Sequence, residues 1–318
     1  MTTTTTGEAS TSASATSSDT AFLQDVGSNA DLGEAVPEGC QGKIDFLFVL
    51  STSSLLADIQ PQLVAAFPKF IDTITTKFEN FDYHIMVVDG DPRWGNAFCT
   101  GACPDLSCDS DDPCCPNNAL PDGLCCTEQN YPCEQLDLVS ECDKTLGAGT
   151  VFPAGHMAAN KICKLDGGRR YITQDQGELS ETFSCIAQLG FTGGSWVGPA
   201  LVSAVSPELN GPGGCNEGVL REDALLMVTM LTDGTGDLEP SKAPEWYDAV
   251  VAAKNGDANA IVAFLIGNPA CPIFDDECLM TQMFPHSLVV GRKEEDIAPG
   301  FDAATDLFEL VCESQIPQ

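Results

Sequence analysis

Residues 44 to 56 read IDFLFVLSTSSLL, and two physical regimes meet inside them. From Ile44 to Leu50 only Asp45 interrupts an apolar run of strand length, the pattern of a strand buried on both faces. Ser51, Thr52, Ser53 and Ser54 then follow without a break. Four consecutive hydroxyls at the carboxyl end of a buried strand make a small polar mouth. Ligands of open α/β sheets sit at that end of the strands.

Working outward, Ala224 to Thr232, ALLMVTMLT, repeats the pattern and closes on Asp233-Gly234-Thr235-Gly236-Asp237. A helix-like segment follows each of these strands. Asp58 to Phe78 places Ile59, Leu63, Phe67, Phe70 and Ile74 on one face, with Pro61 in the first turn and Pro68 expected to kink it. Ala243 to Lys254 is the second such segment. Further strands are predicted at Tyr83 to Asp89, Ala260 to Ile266 and Ser287 to Val290, and Gly167 to Ile172 returns to the fold. Helices are predicted at Glu178 to Leu189, Val197 to Ser206 and Asp302 to Glu313, with Pro207 to Gly218 a polar loop. Alternation of this kind predicts an α/β fold, a doubly wound and mostly parallel sheet flanked by helices. If the two apolar strands adjoin where strand order reverses, Ser51, Ser53 and Asp233 share one crevice.

Composition narrows the function. The 318 residues carry 14 Lys plus Arg against 47 Asp plus Glu, a net charge of −33. Nucleic acid and anionic membrane surfaces are excluded as partners by that balance; cations and basic proteins are favoured. An even count of 16 cysteines with only three histidines points to disulfides and an oxidising compartment rather than zinc. No apolar run reaches the ~20 residues of a transmembrane helix. After Met1 the chain reads TTTTT, so no export signal is visible in it and one is expected upstream.

Residues 2 to 20 hold eight Thr and five Ser, and residues 1–39 read as a disordered tether. Between Cys99 and Cys142 lie nine cysteines, nine acidic residues and no Lys or Arg. Residues 99–166 are therefore expected to be an acidic, cysteine-rich insertion stapled by disulfides, having too little aliphatic content for a core. Its DSDD run, Asp109 to Asp112, departs from an EF-hand loop because Pro113 takes a ligand position.

Four phrases between Cys40 and Cys312 carry a resemblance: CQGKIDFLFVL, GGRRYITQDQGELSETFSCIAQLG, AVSPELNGPGGCNEGVLREDALLMVTMLTD and WYDAVVAAKNG. They resemble von Willebrand factor type A (VWA) domains, of the secreted or lipoprotein type found in myxobacteria and related bacteria. The resemblance implies a Rossmann-like VWA domain over residues 40–316, interrupted by the 99–166 insertion and spaced from an outer surface by the tether. It also implies a divalent cation, usually magnesium, in the crevice. The family's ligands are a DxSxS after the first strand, a Thr from a second loop and an Asp from a third, completed by a carboxylate of the partner. Here Ser51 stands where the Asp belongs, Ser53 is kept, and Leu55 replaces the second Ser. Ser195 in GGSWVGPAL replaces the Thr, and Asp233 is kept. The expectation is a degenerate site that holds Mg2+ (or Mn2+ or Ca2+) weakly through Ser53, Ser195 and Asp233, with Ser51 adding at most a hydroxyl. The competing expectation is that Ser51 to Ser54 only cap the helix that follows.

Disulfide pairing is expected as follows. In the implied sheet the lead-in to the first strand and the end of the last helix lie side by side, so Cys40 is expected to bond Cys312. Cys185 and Cys215 flank the second-loop helix and are expected to bond each other. Cys271 and Cys278 are expected to close the CPIFDDEC turn.

For catalysis the chain offers little. GGSWVG misses the G-x-S-x-G elbow because Val197 stands at the last glycine position, and no His is near in sequence. The expected function is a non-catalytic, adhesive, extracellular or cell-surface module that binds another protein at the crevice and the cysteine-rich insertion. The runner-up is a metal-independent scaffold whose acidic insertion is the working surface. A hydrolase using Ser195 ranks third.

Overall fold

A strand that is apolar on both faces needs a neighbour on each edge and a helical layer on each side, and the first apolar run obtains all four. In the computed structural model, which describes residues 42–56, 59–77, 81–91, 132–155, 157–191, 196–234, 241–292 and 297–314, β1 (Lys43–Leu50) pairs in parallel with β2 (Asp82–Asp89) on one edge and with β4 (Leu225–Leu231) on the other. β5 (Ile261–Gly267) and β6 (His286–Gly291) extend the sheet beyond β4, also in parallel. A two-residue strand, β3 (Ile172–Thr173), closes the far edge in antiparallel pairing with β2. The order of the six strands is β3-β2-β1-β4-β5-β6, so the sequence in which strands are added reverses between β1 and β4, while the two strands themselves run in parallel. The α/β, mostly parallel sheet is as the sequence implies.

Seven helices cover it: α1 (Gln60–Lys77), α2 (Leu179–Ala187), α3 (Val197–Ala204), α4 (Pro207–Asn210), α5 (Ala243–Ala252), α6 (Asp276–Met283) and α7 (Ala298–Ser314), counted among the described residues. Alternation along β1 sorts the core into two layers. Phe46, Phe48 and Leu50 face α1, α2 and α7; Leu47 and Val49 face α3, α5 and α6. The first layer is aromatic. Phe48 lies 5.2 Å from Phe183, 5.8 Å from Phe70 and 6.4 Å from Phe301, ring centre to ring centre. The Phe183 and Phe70 contacts are edge-to-face, and such packing adds about 0.5–1.5 kcal/mol per pair to the burial itself. Pro68 is inside α1 on its exposed side, and α1 runs through it unbroken.

Two helices depart from expectation. The polar loop after α3 contains α4, capped by Ser206, whose Oγ accepts the Leu209 N–H. α6 begins inside the CPIFDDEC stretch expected as a turn and continues to Met283.

The described half of the 99–166 insertion is tied to the domain. Gly149 bridges Val88 at the edge of β2, and Thr150 N–H donates to Val87 O. Buried Asn216 fastens the same segment: Nδ2 donates to Gly147 O and Ala204 O, and Oδ1 accepts the Gly149 N–H. A disulfide joins Cys142 to Cys215, and a second joins Cys163 to Cys185. The expected Cys185–Cys215 bridge is therefore corrected. α2, which carries Cys185, packs on the aromatic layer, whereas Val219 and Leu220, just after Cys215, pack on the opposite one. The sheet stands between the two cysteines. Cys271 and Cys278 pair as expected. Cys312 is disulfide-bonded; its expected partner Cys40 lies outside the described residues, as do the tether and residues 99–131.

Candidate binding crevice at the carboxyl ends of the strands

The reversal between β1 and β4 opens a crevice where both strands end. Ser51 N–H donates to Leu231 O, which continues the β1–β4 ladder by one step and sets Ser51 beside the Thr232-Asp233 turn. Ser51 is fully buried, Ser53 nearly so, and Asp233 is 8% exposed. Three of the four expected ligands are thus drawn to one place, and the fourth, Ser195, lies outside the described residues. Trp196, its neighbour, is fixed by its N–H to Gly90 O at the end of β2.

Both described serines already serve the backbone. Ser51 Oγ accepts the Ser53 N–H at 3.1 Å and Ser53 Oγ accepts the Leu55 N–H at 3.3 Å. These are local turns of the kind serine favours. Leu55, where the resemblance calls for a second serine, is 66% exposed at the mouth. The donor set is then two hydroxyls, each holding one N–H, and one carboxylate. Hard divalent cations gain affinity from charged oxygens, so these residues fit a tightly held ion poorly. Among the described residues no group of three His, Cys, Asp or Glu side chains is placed to hold a metal.

The crevice has a floor that the sequence did not announce. Asp275, Asp276 and Glu277 open α6, are almost wholly buried, and each serves the start of a different helix. Asp275 Oδ1 caps α6 by accepting the Cys278 N–H. Asp276 accepts Ser241 Oγ and the Lys242 N–H at the start of α5. Glu277 takes a hydrogen bond from the Gly198 N–H in the first turn of α3. Carboxylates at helix starts are favourable both as acceptors and against the helix dipole. Burial nevertheless pushes Glu277 up to about 7, and the neighbouring Asp275 and Asp276 push the same way. Asp275 is also raised, chiefly by burial.

One oxygen on each of two of these acids is left over. Asp275 Oδ2 and Glu277 Oε2 are buried without a hydrogen-bond partner. Asp275 Oδ2 points at Gly234, whose φ of 74° and lack of a side chain make room for it; a Cβ there would come within 2.7 Å. Arg292 closes the far side, donating from Nη1 to Asp233 O and from its backbone to Gly267 O.

A second buried charge cluster occupies the amino ends of the strands. Asp45, the one polar residue of the apolar run, is 1% exposed and meets Arg221. Arg221 Nη2 also donates to Ile44 O and Asp82 O, and Nη1 lies 2.6 Å from Asp82 Oδ2. Burial raises Asp45 to about 6 against the pull of Arg221, and burial lowers both His84 and Lys254. His84 Nδ1 sits 2.9 Å from Val219 O, and His286 begins β6. Both histidines are therefore at the end of the sheet opposite Ser51 and Asp233.

No protein-family model matches the chain, and no curated protein matches it either.

Proposed function

We propose that the chain is a non-catalytic VWA-type domain, extracellular or tethered to a cell surface through its N-terminal linker, that binds another protein at the carboxyl-end crevice. One observation carries this reading. Leu55, Trp196, Ile273 and Phe274 are 66%, 58%, 88% and 48% exposed; Leu55 follows β1, Ile273 and Phe274 follow β5, and Trp196 leads into α3 with its backbone N–H on Gly90 O just past β2, so all four stand at the carboxyl ends of the strands. Scattered exposed apolar residues are ordinary, but four of them at the one end of the sheet that carries the polar crevice suit a protein interface. Both described histidines stand at the end of the sheet opposite the crevice serines. Magnesium or a similar cation has a minor part in this reading, as a weak and dispensable ligand of Ser51, Ser53, Ser195 and Asp233. Described disulfides, with no described helix long and apolar enough to cross a membrane, agree with an extracellular setting.

A second reading, a metal-independent scaffold displaying the acidic insertion, draws support from the Cys142–Cys215 bond and the Arg170–Asp143 ion pair, which pin that segment to the domain. Pull-down from an envelope extract, with and without a chelator and with Trp196→Ala as comparison, separates the two. Loss of the captured protein in Trp196→Ala supports the crevice. Capture that survives Trp196→Ala but is lost on trimming residues 99–131 supports the insertion.

A further inference from the structure

The partner's chemistry can be taken further, on the premise that the crevice face is where binding occurs. In the resembled family a metal bridges the domain to an acidic residue of the partner. Here the metal ligands are depleted while the acids beneath the crevice remain. Among the described residues at these strand ends stand the acids Asp89, Asp91, Asp233, Asp275 and Asp276, and the basic ones on the same loops are Lys242 and Arg292. Lys242 is paired with Glu245, and Arg292 is held on the Asp233 carbonyl. Asp233 and Asp276 both raise the proton affinity of Asp275, while Arg292 lowers it. Among the described residues, negative charge is in excess around this crevice.

Asp275 and Glu277 supply the independent observation. Both are almost wholly buried, and each keeps one carboxylate oxygen that no donor in the protein satisfies. An unmatched buried acceptor costs about 1–3 kcal/mol, more when it is charged. The Asp275 oxygen is directed at Gly234, next to Asp233 at the mouth. A cationic group above Gly234 is attracted through space to that carboxylate without needing the missing metal ligands.

The apolar rim sets the rest. Adjacent strands are ~4.8 Å apart, so Trp196 at β2 and Ile273 at β5 flank the acids across roughly 15 Å of the sheet's end. We propose that this face docks a segment of a partner protein that presents a Lys or Arg side chain between apolar ones. The basic group sits over Asp233 and Gly234, and its apolar flanks lie on Trp196 and Leu55 to one side and on Ile273 and Phe274 to the other. No divalent cation takes part.

Fluorescence anisotropy on the intact protein in a chelator tests this, with labelled peptides carrying a repeated Leu-Lys-Leu unit, a Leu-Glu-Leu unit or a Ser-Lys-Ser unit. The Leu-Lys-Leu peptide is expected to bind at least ~10-fold tighter than either of the others, with no change on adding magnesium. Trp196→Ala, Ile273→Ser and Asp233→Asn should each weaken it about 10-fold, while Glu222→Gln, on an exposed residue at the opposite end of the sheet, leaves it unchanged. Circular dichroism melts of each variant separate lost binding from lost folding. Equal weakening by Glu222→Gln would mean simple attraction to a chain of charge −33 and overturns the proposal. Preference for the Leu-Glu-Leu peptide with magnesium overturns the basic partner but keeps the crevice. Binding that Trp196→Ala does not touch overturns both.

Discussion

Arg221 grips Asp45 with two donors of different kinds: its backbone N–H reaches Oδ2 at 2.7 Å and its Nε reaches Oδ1 at 2.8 Å. The pair ties the start of β1 to the segment just before β4, 176 residues later in the chain. Removing one member of a buried ion pair strands the other, at a typical cost of 3–5 kcal/mol. Arg221→Leu is therefore expected to lower unfolding stability by about 3–5 kcal/mol. Urea melts measure it. A loss under ~1 kcal/mol would mean that Asp45 simply takes up a proton and tolerates the change.

The proton on Glu277 makes a second prediction. The folded state holds it up to about pH 7, against an ordinary value of 4.5. Tighter proton binding by the folded form means that this contribution is complete below the ordinary value and fades as pH rises through about 7. Glu277→Gln removes the dependence. The stability of the variant relative to the parent should rise by up to about 3 kcal/mol between roughly pH 5 and pH 8. Asp45, His84 and Lys254 titrate in both forms and cancel in the difference. A flat difference across that range would show that Glu277 stays ionised.

Disulfide deletion gives a third. The Cys142–Cys215 bond spans 73 residues and Cys163–Cys185 spans 22. In the loop-entropy account their loss costs about 4 and about 3 kcal/mol respectively. Paired serine substitutions with denaturant melts provide the comparison, and non-reducing peptide mapping of the parent checks the pairing. The same map shows whether Cys312 meets Cys40. Recovery of a Cys185–Cys215 peptide would contradict the arrangement described above.

Magnesium provides the fourth. With one carboxylate and hydroxyls already engaged, affinity is expected at about millimolar or weaker. Ser51→Asp with Leu55→Ser restores a charge and a hydroxyl, and should tighten binding at least ~100-fold, or ~2.8 kcal/mol. Titration calorimetry of both forms settles the comparison. Micromolar binding by the parent chain would show that a further acid reaches the ion.

Much of this molecule could be read before its coordinates. β1, β2, β4 and β5 announce themselves because a strand buried on both faces must be apolar throughout. Their amphipathic partners α1 and α7 do so because a helix on a sheet buries only one stripe. β3 is too short to leave a pattern. α6 escaped for a physical reason: its buried positions include Asp276, Glu277 and Thr281, so the polarity that normally marks an outer face was turned inward. The same inversion hid Asp45, whose partner is too distant in sequence to suggest itself. Disulfide pairing was misjudged for Cys185 because proximity along the chain says nothing about which side of a sheet a cysteine occupies. At the crevice, Ser51, Ser53 and Asp233 were legible as neighbours. The floor of acids was not, since helix capping by a remote side chain leaves no local signature.

The position of β1 has a consequence for how the chain acquires its shape. This strand is made first, and one of its two edges is completed only by β4, with Ile44 set against Leu225. Pairing over such a distance is slow, and an apolar edge left open invites association with other chains. A nascent chain that has passed β2 but not yet reached Leu225 therefore exposes the most apolar strand of its future core. Truncation anywhere between the two should yield an aggregating polypeptide rather than a smaller domain. Deletion within the intervening insertion, by contrast, shortens the wait and should quicken folding.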